Sequence, residues 1–138
     1  MIVICAVTTD VLDVAGHEAA VAHPAAGAVV SFAGVVRDHD GGRAVSNLIY
    51  EAHPTAAAIL EEVAAEIAKD PAVKAIAVSH RIGPLAIGDV ALAAAVATAH
   101  RAEAFALCAR LVDSAKARLP IWKHQHFTDG TEEWVNSP

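Results

Sequence analysis

Alanine and valine fill 50 of the 138 positions of this chain, whereas Phe, Trp, Tyr and Met together fill 7. Small side chains each remove little surface from water, at roughly 25 cal/mol per Å² of apolar area. A core built from them needs many small contacts. Hydrophobic residues still make up 55% of the chain and charged residues 19%, so the composition is that of a folded protein. A chain of this length is expected to form a single domain over residues 1–138. The net charge of −6 argues against a general nucleic-acid binder.

The longest uncharged stretch, Ala19 to Val36, contains His23-Pro24, Gly27 and Gly34. It reads as a helix end, a turn and a strand rather than a membrane span. The opening MIVICAVTTD has no basic segment followed by a long apolar run, so no signal peptide is expected. Cys5 and Cys108 are far apart and form no CxxC pattern, which predicts buried thiols in a cytoplasmic protein.

Periodicity and chain breakers predict the elements. Met1–Thr8 is a strand. Asp10 caps a helix from Val11 to about Ala22, which His23-Pro24 stops. Gly27–Arg37 is a strand whose Gly34 marks a bulge or a close backbone approach. Asp38–Arg43 (DHDGGR) is a polar loop and Ala44–Ala52 a strand. Pro54 opens a helix to about Lys69, with Ile59, Leu60, Val63 and Ile67 facing inward. Val73–Ile82 is a strand, Gly83-Pro84 a turn, and Val90–Thr98 a strand of small residues after a Gly88-Asp89 turn. Thr98 caps a second long helix, His100–Arg118, with Ala102, Phe105, Ala109 and Val112 on one face. Strands follow at Ile121–Phe127 and Thr131–Val135. The expected fold is α+β, with a mostly antiparallel, mixed sheet, two long helices and a shorter N-terminal one.

Charge is unevenly placed. Residues 100–126 carry Arg101, Arg110, Lys116, Arg118 and Lys123 against Glu103 and Asp113, so this segment has a net charge of +3 in a chain of −6. Such a segment suits an anion site. Lys116 sits in the last turn of the predicted helix, and Lys123 follows Leu119-Pro120 beside Trp122. A helix end, a proline and a strand start can turn both ammonium groups toward one point. Neighbouring cations and burial lower a lysine pKa, and a lysine so tuned serves as acid, base or nucleophile. His100-Arg101, at a helix N-terminus, is placed to receive a phosphate or carboxylate. His124 and His126 alternate along one strand face, but no third metal ligand stands at a telling spacing, so no metal site is expected. Asp38-His39-Asp40 reads as an exposed loop histidine, and Cys108 as core. No phosphate-loop or dinucleotide fingerprint is present.

The ordered segments GAVVSFAGVVRDHDGG, LIYEAHP, SHRIGPLAIGDVALAAAVATAHRAEAF, AKARLPIWKHQHF and TEEW resemble the large, catalytic subunit of molybdopterin synthase, the MoaE family. The likeness runs from Gly27 to Trp134. It implies conversion of cyclic pyranopterin monophosphate (precursor Z) to molybdopterin in molybdenum cofactor biosynthesis, with no cofactor of its own. It implies a small ubiquitin-like partner whose C-terminal Gly-Gly thiocarboxylate carries the sulfur, on a homodimer within a heterotetramer. By position, it marks Lys116 and Lys123 as catalytic. It marks Arg37, His100, Arg101, Phe32, Pro120 and Trp122 as substrate-binding. Many members continue past the EEW-like segment with further charged residues, so any basic contact from such a tail is expected to be missing or replaced. If residues 101–116 form one helix, Arg101 and Lys116 stand about 22 Å apart at 1.5 Å per residue. One protomer's His100 and Arg101 would then face Arg37, Lys116 and Lys123 of its dimer mate. Two other readings are a non-catalytic module that holds a partner's tail, and a metal-dependent enzyme using His124 and His126.

Overall fold

The computed structural model describes residues 1–136. Two sheets organise it. The first has the order β1(Ile2–Thr8), β5(Val73–Arg81), β7(Val90–Thr98), β2(Ala28–Val35), with β1 parallel to β5 and the other pairs antiparallel. In the second, β4(Arg43–Ala52) lies at the centre. It pairs with β3(His39–Asp40), β6(Gly83–Ala86) and β8(Ile121–Phe127), and β9(Glu132–Val135) extends the sheet beyond β8. The helices α2(Ala56–Ala68) and α3(Arg101–Arg118) pack on one face of the first sheet, and the short α1(Val14–Ala20) on the other. The α+β expectation holds.

The small-residue composition finds its purpose in β7. Its residues from Ala91 to Thr98 are all buried, because helices cover both faces of the strand. Leu92, Ala94 and Val96 join the main core beneath α2 and α3. Ala95 and Ala97 join Ala75, Ala77 and Val21 in a second cluster near α1. Only small side chains let a helix lie this close to a central strand.

Several local expectations need correction. Asp13, rather than Asp10, caps α1, accepting the Gly16 N–H at 2.9 Å. The chain bends at Thr9–Asp10 and buries Leu12 before the helix begins, which delays its start. Pro54 lies in the turn before α2, whose first residue is Ala56. Gly83-Pro84 is not a turn but the start of β6, which carries the chain from the first sheet to the second. His100 occupies the α3 N-cap, and Thr98 supports it by donating to the His100 carbonyl at 2.6 Å. The buried stripe of α3 is Ala104, Leu107, Cys108, Leu111, Val112 and Ala115, whereas Phe105 is 62% exposed and Ala102 and Ala109 face outward. The stripe containing the two leucines buries more area, so it wins the core. The DHDGGR loop is a tight hairpin, with Gly41 and Gly42 both at positive φ between β3 and β4. Cys108 is buried as expected, while Cys5 is only partly so.

Candidate functional site

A cleft of about 190 Å³ opens where the two sheets meet the end of α3. Each wall has a local cause. The end of β2 supplies Gly34 to Arg37, and the strand bulges between Gly34 and Val35 as the interior glycine implied. A Cβ on Gly34 would meet the Phe32 ring at 3.2 Å and the Leu92 Cβ at 3.4 Å, so a larger residue would crowd this wall. The last turn of α3 supplies Lys116. The strand β8 supplies Lys123 and Gln125, whose side chains share a face under the two-residue period. Leu48 and Tyr50 of β4 and His80 of β5 form the floor.

The two lysines therefore converge, as the helix–proline–strand spacing allowed and the family resemblance implied, and Arg37 joins them. Burial holds the Lys123 ammonium below its ordinary pKa, and the charges of Arg37 and Lys116 push the same way against the counter-pull of Asp40 and Glu133. Asp40 stays well ionised, because Gln125 donates to its carboxylate at 2.6 Å with Lys123 and Arg37 nearby. Arg37 lies 3.6 Å from Asp40 but is largely exposed, so this pair holds the guanidinium only loosely at the rim.

Sequence reasoning missed His80 as a member of this site. It is 1% exposed, and its edge meets the Tyr50 ring at a centroid distance of 5.0 Å. Its Nδ1 lies 2.7 Å from the Arg81 carbonyl, which fixes that nitrogen as the donor. The buried Nε2 is left as a lone-pair acceptor, with no hydrogen-bond partner among the described residues. Burial, reinforced by the Lys116 charge, pulls the imidazole pKa down to about 4. The HRIG motif was the available signal, but nothing in a sequence tells a cleft histidine from a core one.

The remaining expected residues lie elsewhere. His100 borders a separate depression of about 110 Å³ with Lys74 and Glu103, and Arg101 is exposed beside it. The helix between them and Lys116 is continuous, so the separation of about 22 Å stands. Phe32 lines an apolar groove of about 310 Å³ between β2 and α3, with Phe105, Ala109 and Val112. Pro120 sits at the α3–β8 junction, where its carbonyl accepts the His53 N–H at 2.9 Å. Trp122 alternates with Lys123 and falls on the other face of β8. One protomer thus gathers Arg37, Lys116 and Lys123, but not His100, Arg101, Phe32, Pro120 or Trp122.

This cleft offers three cations, one of them the half-buried Lys123, and one neutral imidazole acceptor. It suits an anionic substrate whose reaction moves protons. The sequence profile of the MoaE protein family matches residues 7–118. A molybdopterin synthase catalytic subunit from Nostoc is 40% identical over 80% of this chain and 68% of its own length. Molybdopterin synthase catalytic subunit 1 of Mycobacterium tuberculosis is 38% identical over 95% of this chain and 89% of its own length. The crystal structure of molybdopterin synthase from Staphylococcus aureus superposes with a TM-score of 0.85 at 31% identity, covering 94% of each chain.

Proposed function

This chain belongs to the MoaE protein family, and from that premise we propose that it is the catalytic subunit of a molybdopterin synthase. It converts cyclic pyranopterin monophosphate to molybdopterin. The sulfur comes from the C-terminal Gly-Gly thiocarboxylate of a small ubiquitin-like partner. The observation that carries this reading is the convergence of Lys116, Lys123 and Arg37 on one cleft. Both reactants are anionic, one through its phosphate and the other through its thiocarboxylate, so cations are needed to bring them together. As each new carbon–sulfur bond forms, the thiocarboxylate's own carbon–sulfur bond breaks, water supplies the oxygen with which the partner leaves as a carboxylate, and the protons released must be carried away. Lys123, with its lowered pKa, is suited to that transfer. Lys116 holds the reacting anions from the facing wall. His80 Nε2 accepts a hydrogen bond from substrate or from an ordered water.

The cleft is smaller than the roughly 300–1,000 Å³ typical of small-molecule sites. The missing anion contacts, His100 and Arg101, lie at the far end of α3. A second copy resolves both points if its His100 and Arg101 close the cleft. The exposed groove of Phe32, Phe105 and Ala109, beside the edge strand β2, is the apolar face on which that copy would pack.

Reconstitution tests the reading. Precursor Z, the thiocarboxylated small subunit and this chain are combined, and molybdopterin is measured. We expect turnover with the intact chain. Lys116→Ala should come close to abolishing it, and Lys123→Ala should lower it by at least about 10²-fold. Full turnover by Lys116→Ala would reject the role given to that residue. Partner binding without pterin conversion by the intact chain would favour a non-catalytic holding module instead.

A further inference from the structure

The face of β8 opposite the lysine cleft carries a second cluster. His124 and His126 project there together, two residues apart on one strand. The sequence offered no third partner at a telling spacing, but the β8–β9 hairpin provides one. Antiparallel pairing sets His126 opposite Glu132 and His124 opposite Trp134. The Glu132 Oε2 lies 3.4 Å from His124 Nε2 and 3.9 Å from His126 Nδ1. One donor atom from each of the three residues falls within 4.8 Å of the others. We propose that His124, His126 and Glu132 form a binding site for a late first-row divalent metal ion, with zinc as the reference case.

Three observations support this beyond proximity. First, the Nε2 atom of His124 is buried and has no aligned hydrogen-bond partner among the described residues, the Glu132 contact at 3.4 Å included. Buried imidazole nitrogens without such partners are costly, and coordination by a cation removes that cost. Second, the ring of His124 is already oriented. It stacks on the Trp134 indole at a centroid distance of 4.1 Å and an angle of 10°, and the His126 ring lies 4.4 Å away. Third, the spacing fits. Zinc–nitrogen and zinc–oxygen bonds of about 2.0–2.1 Å place tetrahedral ligands about 3.3 Å apart. The His124–Glu132 pair is close to that spacing now, the His126–Glu132 contact needs to close by roughly half an ångström, and the two histidine donors lie within 4.8 Å of each other.

Two imidazoles and one carboxylate favour zinc, copper, nickel or cobalt over magnesium or calcium, which prefer all-oxygen sites. Three protein ligands leave a fourth position for water or a small anion. The ion would tie β9 to β8 directly behind Lys123, so it would act as a clamp on the strand that carries that residue.

The test uses the full chain stripped with a chelator and titrated with zinc by calorimetry. Cobalt is then substituted to read the ligand set from its visible absorption. We expect about one equivalent per chain, a higher Tm with zinc, and a cobalt spectrum of nitrogen and oxygen ligation. His126→Ala and Glu132→Gln should each weaken binding at least about tenfold, while His23→Ala and His39→Ala should leave it unchanged. The metal-free Tm of each variant separates lost ligation from lost folding. Absence of saturable zinc binding would overturn the proposal. So would binding that Glu132→Gln and His126→Ala leave intact, since that would place the ion on other histidines.

Discussion

At the scale of the residue, His80 joins the candidate chemistry to stability. Its native pKa of about 4 lies below the ordinary histidine value of 6.5, because burial penalises the charged form. The folded protein therefore holds His80 neutral, and the unfolded chain binds the extra proton first as pH falls. The stabilisation is complete above about pH 6.5 and is lost as pH drops toward 4. The shift corresponds to about 3 kcal/mol between the neutral range and the native pKa. Urea unfolding at a series of pH values should show this loss on top of that from the carboxylates. In His80→Gln the excess should disappear, and an unchanged pH slope in that variant would refute the assignment. The meeting of the lysines was open in the sequence as one outcome, because a helix end, a proline and a strand start can turn Lys116 and Lys123 to one point, and the family resemblance selected it. His80 was not legible there, since its role depends on an environment formed by β4, β5 and α3 together.

The elements show where small residues are needed. On β7, Ala95 has no exposed surface and lies in the cluster with Ala75, Ala77 and Val21 near α1. A larger side chain there would push α1 off the sheet or force strained rotamers. We expect Ala95→Leu to cost about 1–3 kcal/mol in chemical denaturation. A neutral result would mean that α1 packs loosely. The strands and long helices were legible because their apolar patterns have clear periods and their ends carry Pro, Gly or Asp. The errors fell where two local solutions competed. Asp10 and Asp13 both suit an N-cap, and the burial of Leu12 decides between them. Two stripes of α3 are apolar, and the one with Leu107 and Leu111 faces the core. No local rule ranks such alternatives, because their difference arises only on packing.

For the whole molecule, the separation of His100 and Arg101 from the lysine cleft has a direct consequence. If one copy supplies Lys116 and the other Arg101, two inactive variants can complement each other. A dimer of one Lys116→Ala chain and one Arg101→Ala chain contains one doubly damaged site and one intact site. After random exchange of subunits, about half the dimers are mixed, so about a quarter of the original turnover should return. No recovery on mixing, with exchange verified by mass spectrometry, would show that each site lies within one chain. The same comparison distinguishes a shared site from a merely structural dimer, which would give no recovery.

By itself, the sequence determined the α+β class, most element boundaries, the cationic segment within an acidic chain and a spacing that lets Lys116 and Lys123 meet. All of these rest on local periodicity, on chain breakers or on residues a few positions apart. Only the tertiary structure decided which apolar stripe is core. It also brought Arg37 and His80 to the lysines and Glu132 to His124 and His126. The last two outcomes depend on strand register and sheet order. Register is set by the burial of side chains distant in sequence, and a shift of one residue would reverse every face.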